Sequence, residues 1–148
     1  MFIEFNLNQI QAVLNNLQVH TTPLWGEMSP KEMVVHMQDT LKISNHKTSL
    51  EILTPEDKLP LYIGFLNSKK EMPKGYKVDY FQKPDLSQSQ LDDLINAHNL
   101  ELEEFFTHHH ESNYSAIHPI YGDLNYDLWC KLHQKHYTHH FKQFGLIQ

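Results

Sequence analysis

Four times along this chain a capping residue stands just ahead of an apolar pattern with helical period, and this recurrence narrows the fold more than any other feature. The clearest instance is Ser29-Pro30-Lys31-Glu32. There the Ser29 hydroxyl is placed to accept from the Glu32 amide, Pro30 takes the first helical position where a missing N–H costs nothing, and Met28 and Met33 stand at staple positions. Leu86-Ser87-Gln88-Ser89-Gln90-Leu91 repeats the device, with Ser87 as cap, Gln90 as reciprocal partner and Leu86 against Leu91. Phe5-Asn6 followed by Gln9 and Ile10, and Leu124-Asn125 followed by Trp129, are simpler versions. Behind these starts run helical stripes: Ile10, Val13, Leu14 and Leu17, then Met33, Met37, Thr40, Leu41 and Ser44. Leu91, Leu94, Ile95, Leu102, Phe105 and Phe106 make the third, and Leu128, Trp129, Leu132 and Phe144 much of the fourth. The patterns predict helices over 6–19, 29–49, 87–109 and 125–143, in one domain covering residues 1–148. Between the second and third helices lies a stretch of roughly 37 residues, long for a plain loop. Within it Thr54-Pro55-Glu56-Asp57 is placed to open a short helix, and Tyr76-Lys77-Val78-Asp79-Tyr80 alternates like an extended piece. The expected fold is therefore all-α, a helical bundle with a long crossover between helices 2 and 3, an architecture that sets metal and cofactor sites among facing helices.

Composition removes several function classes. The formal charge is −6, and all 12 cationic residues are lysine. Without a basic surface or a guanidinium fork, nucleic-acid recognition is not expected. A single cysteine, Cys130, rules out an internal disulfide and a cysteine-based zinc finger, and is read as an inert thiol off the metal-facing arc. The start Met1-Phe2-Ile3-Glu4-Phe5-Asn6 carries no secretory pattern and no run reaches membrane-spanning length, so a cytoplasmic protein without a membrane partner is expected.

Histidine is the anomaly, with 12 in 148 residues. At about 100° per residue, His136 and His140 fall within about 20° of Trp129 on the fourth helix, so both project from the face that Trp129 and Leu132 bury. Imidazoles four residues apart stand one above the other and can share a divalent ion. His133, about 40° from Trp129, leaves an i, i+3 pair with His136 as a competing arrangement, and His139 sits at the edge of the arc. His36 lies beside Met33, Met37 and Thr40 on the apolar face of the second helix. Three inward histidines on two helices are costly to bury without a shared partner, and Zn²⁺ or Ni²⁺ would be one, with a fourth position open to water or substrate.

The segment Trp25-Gly26-Glu27-Met28-Ser29-Pro30-Lys31-Glu32-Met33-Val34-Val35-His36-Met37 resembles the region around the first histidine of the DinB-like (DinB/YfiT) superfamily. His118-Pro119-Ile120-Tyr121-Gly122-Asp123-Leu124, Trp129 and the stretch from Lys135 to Gly145 resemble a second signature of one bacterial branch of it. The resemblance implies an up-down-down-up four-helix bundle that holds one divalent metal through His36, His136 and His140, and it allows a homodimer. His139 and Gln143 match the family's H-x-x-H-H-x-x-Q pattern, whereas Phe141-Lys142 replaces its usual arginine, so no anion-binding role passes to that position. The wider superfamily includes transferases and isomerases that use low-molecular-weight thiols. A metal-dependent thiol S-transferase acting on a small-molecule substrate is the first expectation, and a metal-dependent hydrolase is a variant of the same site. The other reading is a non-catalytic bundle with a structural metal, serving stress response or protein association.

Other polar features have simpler readings. The run His108-His109-His110 falls at a helix C-terminus, where imidazoles meet the last carbonyls. Glu101, Glu103 and Glu104 read as a solvated face. His98 is a candidate for contacting a ligand imidazole from behind, and Asp39 either orients an imidazole or lies on the surface.

Overall fold

The computed structural model describes residues 1–109 and 111–148. Among them the chain is mostly helical: α1 is Leu7–Leu14, α2 Pro30–Ser44, α3 Leu59–Leu66, α4 Leu91–His108 and α5 Tyr126–Gln143. A two-stranded antiparallel hairpin, β1 (Ala116–His118) and β2 (Gly122–Leu124), pairs Ala116 with Leu124, Ile117 with Asp123 and His118 with Gly122. The hairpin is a departure from a purely helical chain, and its three-residue strands are too short to carry a legible alternation. No described helix is long and apolar enough to cross a membrane.

Local chemistry explains where the helices begin. Ser29 accepts from the Glu32 amide and Glu32 returns a carboxylate to the Ser29 amide, both at 3.1 Å, which satisfies two N-terminal donors of α2. Asn6 and Asn125 cap α1 and α5 through the amides of Gln9 and Leu128. The expected box at Ser87 does not form. Asp85 takes the Ser87 amide and Ser89 turns back to Leu86, so α4 begins four residues later, at Leu91. The 54–57 signal opens a short 3₁₀ turn, Glu56–Lys58, that runs into α3, whereas residues 76–80 form no strand.

The ends are set by two copies of one motif. After α2, His46 adopts φ 61°, its amide bonds Ile43 O and the Lys47 amide bonds Lys42 O. After α5, Gly145 adopts φ 67°, its amide bonds Lys142 O and the Leu146 amide bonds Phe141 O. Both are Schellman caps, one with the glycine that a left-handed residue favours and one with histidine, which enters that region more readily than most side chains. The first, at His46, stops α2 at Ser44 rather than at the expected 49. α1 likewise ends at Leu14, where Asn15 and Asn16 close a turn, although Leu17 beyond it remains buried.

α5 is the centre of the packing. It meets α1, α2, α3 and β2, while α2 packs on α4 and on β1. Trp129 is fully buried and donates its indole N–H to Ala116 O at 3.0 Å, fastening the hairpin to α5. The N-terminal segment is held to α5 from both sides, by Ile3 N to Thr138 Oγ1 at 2.9 Å and Gln134 Nε2 to Ile3 O at 2.9 Å. Three lysines of α5 pin the start of the crossover: Lys131 to Asn67, Lys135 to the carbonyls of Ser68 and Lys70, and Lys142 to Glu71. The Lys135 ammonium is buried with Phe2 and Phe65 rings 4.4 and 4.8 Å away, so its charge is matched by two carbonyls and two ring faces. The acidic run of α4 is not uniformly solvated either, because Glu101 is buried and receives Asn45 at 2.8 Å and Lys47 at 2.8 Å.

The two capping assignments are separable by stability. Ser29→Ala should lower stability by about 1 kcal/mol, read as a lower urea midpoint at unchanged m, whereas Ser87→Ala should leave the midpoint where it is.

Candidate metal centre

α2 presents His36 one turn after the buried Met33 and next to the buried Met37, and α5 presents His136 and His140 four residues apart on its inward face. Contact between α2 and α5 brings the three together. One ring nitrogen from each lies within 4.8 Å of the other two. The Nε2 atoms of His36 and His136 are 2.8 Å apart, and the three ring centroids are separated by 4.7, 5.0 and 4.7 Å. His136 and His140 are 8% and 7% exposed, while His36 keeps partial exposure.

Whether these residues fit a metal can be tested on their own chemistry. A tetrahedral ion with bonds of roughly 2.0–2.1 Å holds its donors about 3.3 Å apart, between the shortest and longest separations here, so shifts of an ångström or so complete the geometry. Burial, then the charge of His139, pushes His36 down to about 4. Burial is also the main cause that holds His136 and His140 well below the usual imidazole range. All three are therefore neutral near pH 7, the form that binds metal. His136 turns its Nε2 toward His36, and its Nδ1 is buried without a hydrogen-bond partner among the described residues. His140 is oriented from behind: its Nδ1–H donates to Gln143 Oε1 at 2.7 Å, and Gln143 Nε2 donates to Trp25 O at 3.1 Å. That arrangement fixes the tautomer and turns His140 Nε2 toward the other two rings.

The contested neighbours fall outside the cluster. His133 is buried, but Ser44 donates to Leu41 O and so accepts from His133 Nε2–H at 3.0 Å, which turns the ring away from His136. His139 stacks edge-on against Trp25 at 5.5 Å. His98 is fully buried and bonds the Tyr137 hydroxyl at 2.6 Å, not a ring of the triad. Asp39 likewise makes no hydrogen bond to an imidazole among the described residues and is neither fully buried nor exposed. Cys130 is half-buried and its thiol is pushed up to about 11, mainly by burial, which leaves it unreactive near neutral pH. Of the 108–110 run, His108 closes α4 and His109 follows it, while His110 lies outside the described residues.

Two neighbours were not singled out by the sequence reading. The crossover brings Phe81 edge-on to His36 at 5.9 Å. His118, 4% exposed, accepts from the Ile120 amide at 3.0 Å through Nδ1, so its proton sits on Nε2, 3.5 Å from the Tyr80 hydroxyl. The motif containing His118 was visible as sequence, but its ring direction depends on the hairpin. Phe81 gave no signal, since its segment has no periodicity. No family model matches the chain, and no curated protein or solved structure matches it either.

These buried imidazoles set an acid limit on the folded state. His36 and His98 are lowered to about 4 and His118 and His133 to about 3, in each case chiefly by burial. Between pH 6.5 and those values the unfolded chain holds protons that the folded chain does not, so their contribution is complete above pH 6.5 and is lost as pH falls toward 3. Chelator-treated protein should show a urea midpoint that drops steadily from pH 7 to pH 5; a midpoint equal at the two values contradicts the neutral buried rings.

Proposed function

We propose that the chain is a DinB-like protein, with α1, α2, α4 and α5 as an up-down-down-up bundle, and that it binds one divalent metal, zinc or nickel, through His36, His136 and His140. On this reading it is a metal-dependent enzyme that transfers a low-molecular-weight thiol to an electrophilic small molecule. The observation that carries it is the convergence within 4.8 Å of three neutral imidazoles from two facing helices, two of them buried and the third partly exposed. In the overall reaction the thiol proton is released, a carbon–sulfur bond forms, and the leaving group departs with the electrons of the bond that breaks. His36, His136 and His140 would hold the divalent ion, which would supply acidity to a thiol and so make thiolate available near neutral pH.

The remaining work belongs to the chain. Gln143 keeps the His140 proton on Nδ1 and its lone pair on Nε2. Phe81 packs edge-on with His36 at 5.9 Å and supplies an apolar neighbour to the partly exposed ring. Three neutral ligands leave the full ionic charge for an anionic partner, and with no arginine in the chain any substrate carboxylate must rely on lysine or backbone amides. The burial of His136 and His140 also favours a second reading, a purely structural ion.

Elemental analysis should find one equivalent of zinc or nickel in the wild type and a loss of most of it in His36→Ala, His136→Ala and His140→Ala. Full retention by all three variants sinks the triad. Gln143→Leu should weaken metal affinity by about 10- to 100-fold without unfolding the chain. Turnover of epoxides or alkyl halides that depends on added thiol separates the enzyme from the structural reading, and no acceleration with any thiol would leave the latter.

A further inference from the structure

Beside the histidine cluster lies a cavity of about 430 Å³, within the range of small-ligand sites, lined by Val35, Asp39, Thr48, Tyr80, Phe81 and Lys83 among others. Two of its walls adjoin the triad. Phe81 is the ring that stands against His36, and Val35 and Asp39 flank His36 on the same turns of α2. Side chains three residues apart on a helix have Cβ atoms about 5–6 Å from one another, so Asp39 is one short aliphatic spacer from the cluster.

Asp39 is the unusual member of this lining. It is partly withdrawn from water and has no hydrogen-bond or ion-pair partner among the described residues. Burial raises its carboxyl above the usual range, and the charge of Lys42 offsets this only in part. Lys83 is drawn toward Glu32, 3.8 Å away, rather than toward Asp39. A partly desolvated carboxylate in a concave wall gains most from a cation brought by a ligand, and Thr48, Tyr80 and Phe81 offer that ligand hydroxyl and aromatic contacts.

We propose that this cavity seats the organic part of the ligand held at the triad and that Asp39 selects ligands bearing a protonated amine. Resting on the metal reading above, the assignment narrows the cosubstrate to a small amino thiol, with sulfur directed to the cluster and ammonium to Asp39.

Two measurements keep the cavity and the metal separable. In metal-free protein, titration with butylamine should give saturable amide shifts at Val35, Thr48 and Phe81 in ¹H–¹⁵N spectra, and butanol should not. Asp39→Asn, checked for an unchanged thermal midpoint, should weaken butylamine by roughly two- to five-fold. Equal shifts with butanol, or an unchanged response in Asp39→Asn, overturn the proposal. In cobalt-loaded protein, the sulfur-to-cobalt absorption should appear at lower concentrations of cysteamine than of mercaptoethanol, and the difference should vanish in Asp39→Asn. Cobalt binding with no preference between the two thiols overturns the amine selection and leaves the triad standing. Failure to bind cobalt while butylamine still saturates removes the metal reading and supports the amine site alone.

Discussion

A helix that is buried on almost every side yet rich in polar residues sets the terms for this structure. Along α5, His133, Lys135, His136, Thr138, His140 and Gln143 are buried together with Trp129, Leu132, Tyr137 and Phe141. Each polar group withdrawn from water costs free energy unless it is paired, so the surroundings of α5 are largely a set of partners. Ser44 on α2 serves His133, Ile3 serves Thr138 and Trp25 serves Gln143. The crossover carbonyls at 68 and 70 serve Lys135. His136 Nδ1 and His133 Nδ1 find no hydrogen-bond partner among the described residues, while His136 Nε2 meets the one histidine of α2, His36, at 2.8 Å.

The parts of this arrangement legible in the sequence are those governed by local rules. The Ser29 box, the Asn125 cap and the helical period place α2 and α5 and with them the inward face carrying His36, His136 and His140. Period alone could not separate His133 from His140, since both lie within the buried arc; a hydroxyl on another helix decides it. Ser87 had the right neighbours for a cap but lost its amide to Asp85, a competition between two local motifs that spacing does not rank. α3 is apolar all round, which gives no face and therefore no period, and the hairpin strands alternate over only three residues each, too few to read from sequence. Glu101 appeared to belong to a solvated run because its partners, Asn45 and Lys47, lie in the Schellman turn of a different helix.

The two Schellman caps have a bearing on the site as well as on the helices. His46 turns the chain so that Asn45 and Lys47 reach α4, and Gly145 turns it so that Leu146 folds back toward Phe141. The helices that carry the triad thus end in defined turns rather than frayed ones, and the last turn of α5 contains both His140 and the Gln143 that orients it.

The lysine contacts between α5 and residues 67–71 change the polymer character of the crossover. A connection from α3 to α4 with free ends would lose loop entropy as one long segment, but anchors at 67, 68, 70 and 71 shorten the untethered part to the residues beyond them. Length is then tolerated unevenly along it. Extra residues at Gly75, which is exposed and where a side chain would meet open space, enlarge a surface turn. The same insertion at 68–70 would pull carbonyls from a buried ammonium, so an unstructured-looking stretch contains a segment as intolerant of change as the core.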